Sequence, residues 1–374
     1  NKKYKNYDLL GSFRFGHIII DPKPNYNSYA NLEVDEIIKR TYERMLSAIS
    51  LVPDGVYYFE DVMDDDGREA INVPIKLTAT IKGKSVLFDF DGTSPQTPGN
   101  INIPLHGTKA AVCYVLKAML DPDIPNNQGV LDAVEVVAPI GTMVSCIAPA
   151  SVAARAHTSQ RIIDVVIGAL SPALPASAVG AANGANTMAV FAGNNPETGE
   201  PYVYLETLGG GFGGRNDRDG KDGVQVHITN TSNLPIEAIE MEYPLLVERY
   251  GFIPDSGGAG QYRGGLGLQR VVRPIGHTCT FNGVGERFRN NPWGIFDGCA
   301  GKSGSFWLEE DQCLPVQLSH KSPDMPLKPN QALVVNTPGA GGYGDPQKRS
   351  KELIKVDKVS GKFSDKFLSK FYEK

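Results

Sequence analysis

Arg155, His157, Gln160 and Arg161 fall within seven residues, Arg155-Ala156-His157-Thr158-Ser159-Gln160-Arg161. They stand where an apolar-periodic segment begins. A helix N-terminus there would present unpaired N–H groups and the positive end of the macrodipole, which favours anions. The same residues also suit an ordinary helix start with solvated arginines. A second group runs from Glu206 through Gly209, Gly210, Gly211 and Arg215 to Asp219, Asp222 and His227. Glycines let a ligand approach backbone N–H donors that stabilise an oxyanion. His227 and the neighbouring acids are candidates for proton transfer, and Glu206, Asp219 and Asp222 for orienting a histidine or holding a metal. A tight β-connection with Glu206 and His227 satisfied in the core fits the same spacing. A third group, residues 255–267, sets Arg263 beside Tyr262 in a glycine-rich loop. The catalytic candidates are therefore His157, His227, Glu206, Asp219 and Asp222. Candidates for holding substrate are Arg155, Gln160, Arg161, Gly209, Gly210, Gly211, Arg215 and Arg263.

Several familiar patterns fail on context. Gly209-Gly210-Gly211-Phe212-Gly213-Gly214 satisfies G-x-G-x-x-G, but turn residues follow where a dinucleotide site needs a helix. No acid stands about 20 residues on. Asp255-Ser256-Gly257-Gly258 resembles a protease nucleophile segment without a base in partner context. In Asp217-Arg218-Asp219-Gly220-Lys221-Asp222, lysine stands where a calcium loop needs oxygen. There is no Walker A sequence.

The elements that must position these groups read as an α+β fold, sheet-rich and mostly antiparallel or mixed, with a few long helices. Helical periodicity is clear over residues 34–49 (with Asn31 as N-cap), 108–120 and 159–170, and brief over 235–242. Strand-like runs lie at 56–59, 75–81, 85–90, 134–138, 202–208, 224–228, 246–253, 267–272, 278–284 and 332–335. The chain has 374 residues, 41 of them glycine, and a net charge of −5. Three stretches, 209–223, 257–267 and 339–344, concentrate the glycine excess. Mild acidity argues against nucleic acid as a partner. The charge is uneven, because residues 347–374 hold nine Lys/Arg and four Asp/Glu. Phe363, Phe367, Leu368 and Phe371 in that tail predict a short amphipathic basic helix that docks on another surface. Five widely spaced cysteines without C-x-x-C, no signal-like start and no membrane-length apolar run lead to the expectation of a cytoplasmic protein with reduced thiols and no membrane partner.

Further motifs stand in order along the chain: Pro53-Asp54-Gly55-Val56-Tyr57, Asp64-Asp65-Asp66-Gly67, Asp89-Phe90-Asp91-Gly92-Thr93-Ser94 and residues 121–127. After them come Thr158-Ser159-Gln160-Arg161, Glu206-Thr207, His227-Ile228-Thr229-Asn230-Thr231, Glu242-Tyr243-Pro244, Pro292-Trp293-Gly294 and residues 337–346. Together they resemble the hydantoinase B/oxoprolinase family. The likeness covers residues 34–346, leaving 1–33 as an N-terminal extension and 347–374 as a basic C-terminal tail.

Members of that family are subunits or domains of ATP-dependent enzymes, including N-methylhydantoinases, 5-oxoprolinases, caprolactamase and the acetone and acetophenone carboxylases. The resemblance implies a hydantoinase A-like partner that binds ATP and Mg and phosphorylates an amide or enolate oxygen of a small-molecule substrate. This chain would then complete ring opening of a cyclic amide, as an amidohydrolase subunit of a hetero-oligomer. Ketone carboxylation and a non-catalytic assembly role are the alternatives. The resemblance also implies a divalent metal, Zn or Mn, held mainly by an N-terminal portion that residues 1–33 do not resemble. Either this chain is a piece of a split or nicked subunit whose separate N-terminal hydantoinase B fragment supplies it, or another polypeptide does. The family's usual acid before Thr-Ser-Gln-Arg is His157 here.

Overall fold

Residues 71–82 alternate apolar and polar side chains, and this period of two sets one buried face. In the computed structural model, which describes residues 27–184 and 186–372, that segment is the second strand of a four-stranded sheet. Helix α1 (Asn27–Ile49) precedes it, followed by β1 (Gly55–Asp65), β2 (Ile71–Lys82) and β3 (Ser85–Asp89). Then come α2 (Leu105–Leu120), α3 (Gln128–Asp132), β4 (Glu135–Val137) and α4 (Arg155–Leu170). Strands β1, β2 and β3 pair antiparallel, and β4 joins β3 in parallel. Helix α1 starts four residues before the expected cap. Of its expected apolar stripe Met45 and Ile49 are buried, while Ile37 and Tyr42 are exposed. Helix α4 packs on β1 and β2, and α2 packs on α4. The close α4–β1 approach needs Gly168, where a Cβ would run into the Phe59 ring.

The second half is mostly sheet: β5 (Thr187–Asn194), β6 (Pro201–Leu208), α5 (Ile236–Glu242), β7 (Leu245–Phe252), β8 (Leu268–Pro274) and β9 (Cys279–Val284). Strands β10 (Ser305–Glu310), β11 (Val316–Leu318), β12 (Lys321–Leu327) and β13 (Gln331–Asn336) follow. They form two sheets, ordered β12-β9-β5-β6 and β11-β10-β13-β8-β7. Phe191, Phe281, Phe306, Leu245 and Leu333 fill the shared core. The α+β reading is therefore the observed fold. One expectation fails: residues 224–228 form no strand, only a bridge from Val224 to Gly210.

The tail folds back on the molecule. Helices α6 (Lys351–Val359) and α7 (Asp365–Phe371) bring Phe363, Leu368 and Tyr372 against Ala259 and Leu266. No helix among the described residues is long and apolar enough to cross a membrane.

Candidate active site

Three glycine-rich stretches meet backbone to backbone. Gly211 N–H donates to Pro338 O (3.1 Å), Gly265 N–H to Phe212 O (2.9 Å), Ala340 N–H to Gly265 O (3.1 Å) and Gly214 N–H to Gly341 O (2.9 Å). A Cβ at Gly213 would collide with the carbonyl of Gly180, and one at Gly264 with that of Ala340. This explains the composition, and it corrects one expectation. The N–H groups of Gly210 and Gly211 are committed to protein carbonyls, of Val224 and Pro338. They are not free for an oxyanion.

The chain leaves this layered region at His227, whose φ is +51°. The left-handed backbone turns the imidazole inward instead of continuing a strand. Its Nε2 lies 3.2 Å from Oδ1 of Asp164 on α4, and its Nδ1 is buried with no protein partner. With the hydrogen on Nε2, the imidazole donates to Asp164, and Nδ1 is the nitrogen left with a lone pair in that tautomer. Asp164 is held in turn by Arg287, whose Nη2 reaches Asp164 Oδ2 and Asp61 Oδ2 at 2.7 Å each. Trp293 donates Nε1–H to the same Asp61 oxygen (3.1 Å), and Arg161 donates to Asp61 Oδ1 (3.2 Å) and to the Val62 carbonyl. Burial alone would push the Asp61 carboxyl up, but Arg287 and Arg161 outweigh it and hold it low. On the far side, Arg161 faces Glu286 at 3.6 Å, and Lys321 joins Glu286 (3.0 Å) to Asp65 (2.6 Å). His320 also pairs with Asp65. One buried charge network thus ties β1, α4, the loop after β9 and the start of β12 behind His227.

In front of His227 is a cavity of about 400 Å³. Its walls include Tyr114, Met119, Ile167, Phe212 and Arg215. Tyr114 and Phe212 stand beside the imidazole, with ring centroids 5.9 and 5.7 Å away. The Arg215 guanidinium lies over the Phe212 ring at 4.8 Å. An outer cleft of about 870 Å³, between α2 and residues 121–132, shares Tyr114 and Ala118 with this cavity. Cys113 in that cleft is pushed up to about 12 by burial, so it is no thiolate nucleophile. None of the five cysteines is in a disulfide.

Of the expected site residues, only His227 and Arg215 line the inner cavity. Gln160 and Arg161 are fully buried behind it. Gln160 Nε2 donates to Val226 O (3.1 Å) and Thr229 Oγ1 (2.8 Å), which fixes the backbone just before and after His227. Arg155 is exposed and donates to Val152 O. His157 is buried at the start of α4 and lines neither cavity, and burial lowers its pKa. Glu206 is paired with Arg270 and accepts from Tyr204 (2.6 Å) in the two-sheet core. Asp219, Asp222 and Arg263 are bound to one another and to the C-terminal tail. Asp61, Asp164, Glu286 and Arg287 were not singled out from the sequence. Asp164 carried a usable signal: it is a lone charge among Ile162, Ile163, Val165 and Val166.

The described residues do not by themselves form a metal site. Among the described residues no group of three or more His, Cys, Asp or Glu could hold one. The carboxylates of Glu206, Asp219 and Asp222 are taken by arginines. What the site offers is an imidazole with an orienting carboxylate, a cation, and a chamber of mixed polar and apolar lining between them. That is equipment for proton transfer on a small ligand carrying negative charge.

A fold of this kind has relatives. The sequence model described as hydantoinase B/oxoprolinase matches residues 29–346, and the chain belongs to that family. An uncharacterised protein of Methanocaldococcus jannaschii is 38% identical over 81% of this chain and 52% of its own length. A Pseudomonas protein described as the putative B-type subunit of a D-/L-hydantoinase is 32% identical over 87% of this chain and 57% of its own. The chain therefore spans about half the length of these curated relatives. Among solved structures, the ATP-dependent caprolactamase of Pseudomonas jessenii superposes with TM-score 0.83 at 22% identity, over 92% of this chain and 61% of that one. Acetone carboxylase without nucleotide gives 0.78 at 16% identity, over 90% and 51%. Both likenesses establish the fold.

Proposed function

We propose that this chain is the hydantoinase B-type subunit of an ATP-dependent complex that opens a cyclic amide. A hydantoinase A-like partner binds ATP and Mg and phosphorylates the amide oxygen. The activated ring then reaches the His227 cavity. One observation carries the reading: His227 lines the cavity, is fixed through Nε2 by Asp164, and keeps a buried Nδ1 with no protein partner. Water adds to the phosphorylated carbon and gives a proton to Nδ1. Asp164 steadies the imidazolium that results. Breaking the ring C–N bond returns that proton to the leaving nitrogen and leaves an acyl phosphate, which a second water splits to carboxylate and phosphate. Arg215 balances the phosphoryl charge. The named function of the hydantoinase relative supports the substrate class.

The test is reconstitution with a hydantoinase A-like chain and the remaining hydantoinase B portion that the longer relatives contain. ATP turnover that depends on a cyclic amide supports the reading. Turnover that needs bicarbonate and a ketone would make the chain a carboxylase subunit. A complex that keeps full activity with the His227 cavity disabled would leave it a role in assembly alone.

A further inference from the structure

The tail beyond the family match reaches back to the base of the loop that supplies part of the cavity wall. Arg349, whose side chain is fully buried, grips Asp219 with both terminal nitrogens (2.6 and 2.8 Å) and donates to Asp357 on α6 (2.6 Å). Arg263 donates to the other Asp357 oxygen (3.1 Å) and to Asp222 (2.8 Å). Lys362, between α6 and α7, closes the set on Asp222 at 2.7 Å. Three cations and three carboxylates therefore alternate. Burial opposes the Arg349 charge, but Asp219 and Asp357 overcome it and raise its pKa. The tail supplies Arg349, Asp357 and Lys362, all after residue 346 where the family match ends.

Asp219 and Asp222 belong to the segment 212–223. Its other end carries Phe212, Arg215 and Asp217, all in the wall of the His227 cavity. The two ends are tied by Phe212 N–H to Lys221 O (2.9 Å) and Arg215 N–H to Arg218 O (3.0 Å). Arg215 itself makes no ion pair among the described residues, so its placement depends on this loop. An anchor at residues 219–222 fixes the base of the loop that presents it.

We propose that the α6–α7 hairpin is a clamp that sets Arg215 in the cavity, with Arg349 a positioning residue acting through Asp219. This rests on the cavity being the substrate site. It assigns the tail to tuning of substrate affinity, with proton transfer left to His227.

The test compares Arg349→Lys with the wild-type chain in the assembled complex. Lysine keeps the charge and loses the two-pronged grip. Hydrogen exchange across residues 212–222 should rise about tenfold while β8 and β9 stay unchanged. KM should rise about three- to tenfold with kcat nearly constant. Raised exchange in α6 and α7 without any change in 212–222 would overturn the clamp. If Arg349→Lys does not fold, Lys362→Ala at the partly exposed end of the set is the second variant, with the same direction of effect expected. Faster exchange in 212–222 with unaltered KM would sustain the clamp and instead overturn the assignment of the cavity to substrate.

Discussion

Nη2 of Arg287 donates to Asp61 on β1 and to Asp164 on α4, at 2.7 Å each. One cation thus bridges two buried carboxylates and fixes the one that holds His227. Arg287→Met would remove the charge and keep much of the volume, leaving Asp164 without a cation and Asp61 with Arg161 alone. Breaking a buried pair this way costs about 3–5 kcal/mol. Chemical denaturation should show that loss, and a change under about 1 kcal/mol would mean that the two acids do not depend on Arg287.

His227→Asn tests the chemistry with little backbone penalty, because asparagine accepts the left-handed conformation at this position. Turnover of the assembled complex should fall by about 10²–10⁴ with the melting temperature little changed. Undiminished turnover would remove His227 from the reaction.

Glu206→Gln should behave in the opposite way. Glu206 serves Arg270 and Tyr204 inside the two-sheet core, so losing its charge should lower stability by about 2–4 kcal/mol. Activity per folded molecule should stay the same. A drop in kcat without loss of stability would return Glu206 to the active site.

His157 gives a pH signature. Burial holds the folded imidazole neutral, with its pKa lowered. The unfolded chain takes up that proton near pH 6.5. Below that pH the unfolded state binds more protons, so stability present at neutral pH is lost as pH falls. The slope approaches about 1.4 kcal/mol per pH unit. Asp61 and Asp222, both lowered in the folded protein, act further down, where unfolded aspartates protonate near pH 4. Denaturation midpoints between pH 7 and 5 should decline in the wild type and flatten in His157→Gln. Parallel profiles would mean that His157 does not account for the slope.

Gly213→Ala and Gly251→Ala form a matched pair. A Cβ at Gly213 meets the Gly180 carbonyl, whereas Gly251 on β7 has open space around it. Forcing a methyl into close packing costs about 1–3 kcal/mol or more, while Gly251→Ala should stay within about 0.5 kcal/mol. Equal effects by thermal unfolding would contradict the layered packing.

The fold was legible where period and punctuation agree. Residues 159–170 and 202–208 read directly as α4 and β6: their apolar periods are clear, although β6 buries one face while α4 is buried on every side. Strand β5 and the β10–β12 region were missed, since small or mixed residues blur alternation there. Residues 224–228 have strand-like composition, yet their backbone is set by the Gly210–Val224 bridge and the left-handed His227. The site was half legible. His227 and Arg215 sit near the glycine signature in sequence, but Asp61, Asp164 and Arg287 come from segments about a hundred residues apart. None belongs to a local motif that names its partner, so their meaning appears only when the segments meet. Asp219 and Asp222 looked catalytic because nothing in the local sequence reveals the arginines, Arg263 and Arg349, that bind them.

The glycine layers also bear on how the molecule responds to temperature. They bury amide groups with almost no hydrocarbon, and exposing amides lowers the heat capacity of unfolding while exposing hydrocarbon raises it. This part of the molecule therefore adds little to the curvature of stability with temperature. Its cohesion does not fade on cooling as that of an aliphatic core does. On cooling, the hydrophobic contribution that weakens is therefore concentrated in the aromatic core between the two sheets rather than in the glycine layers.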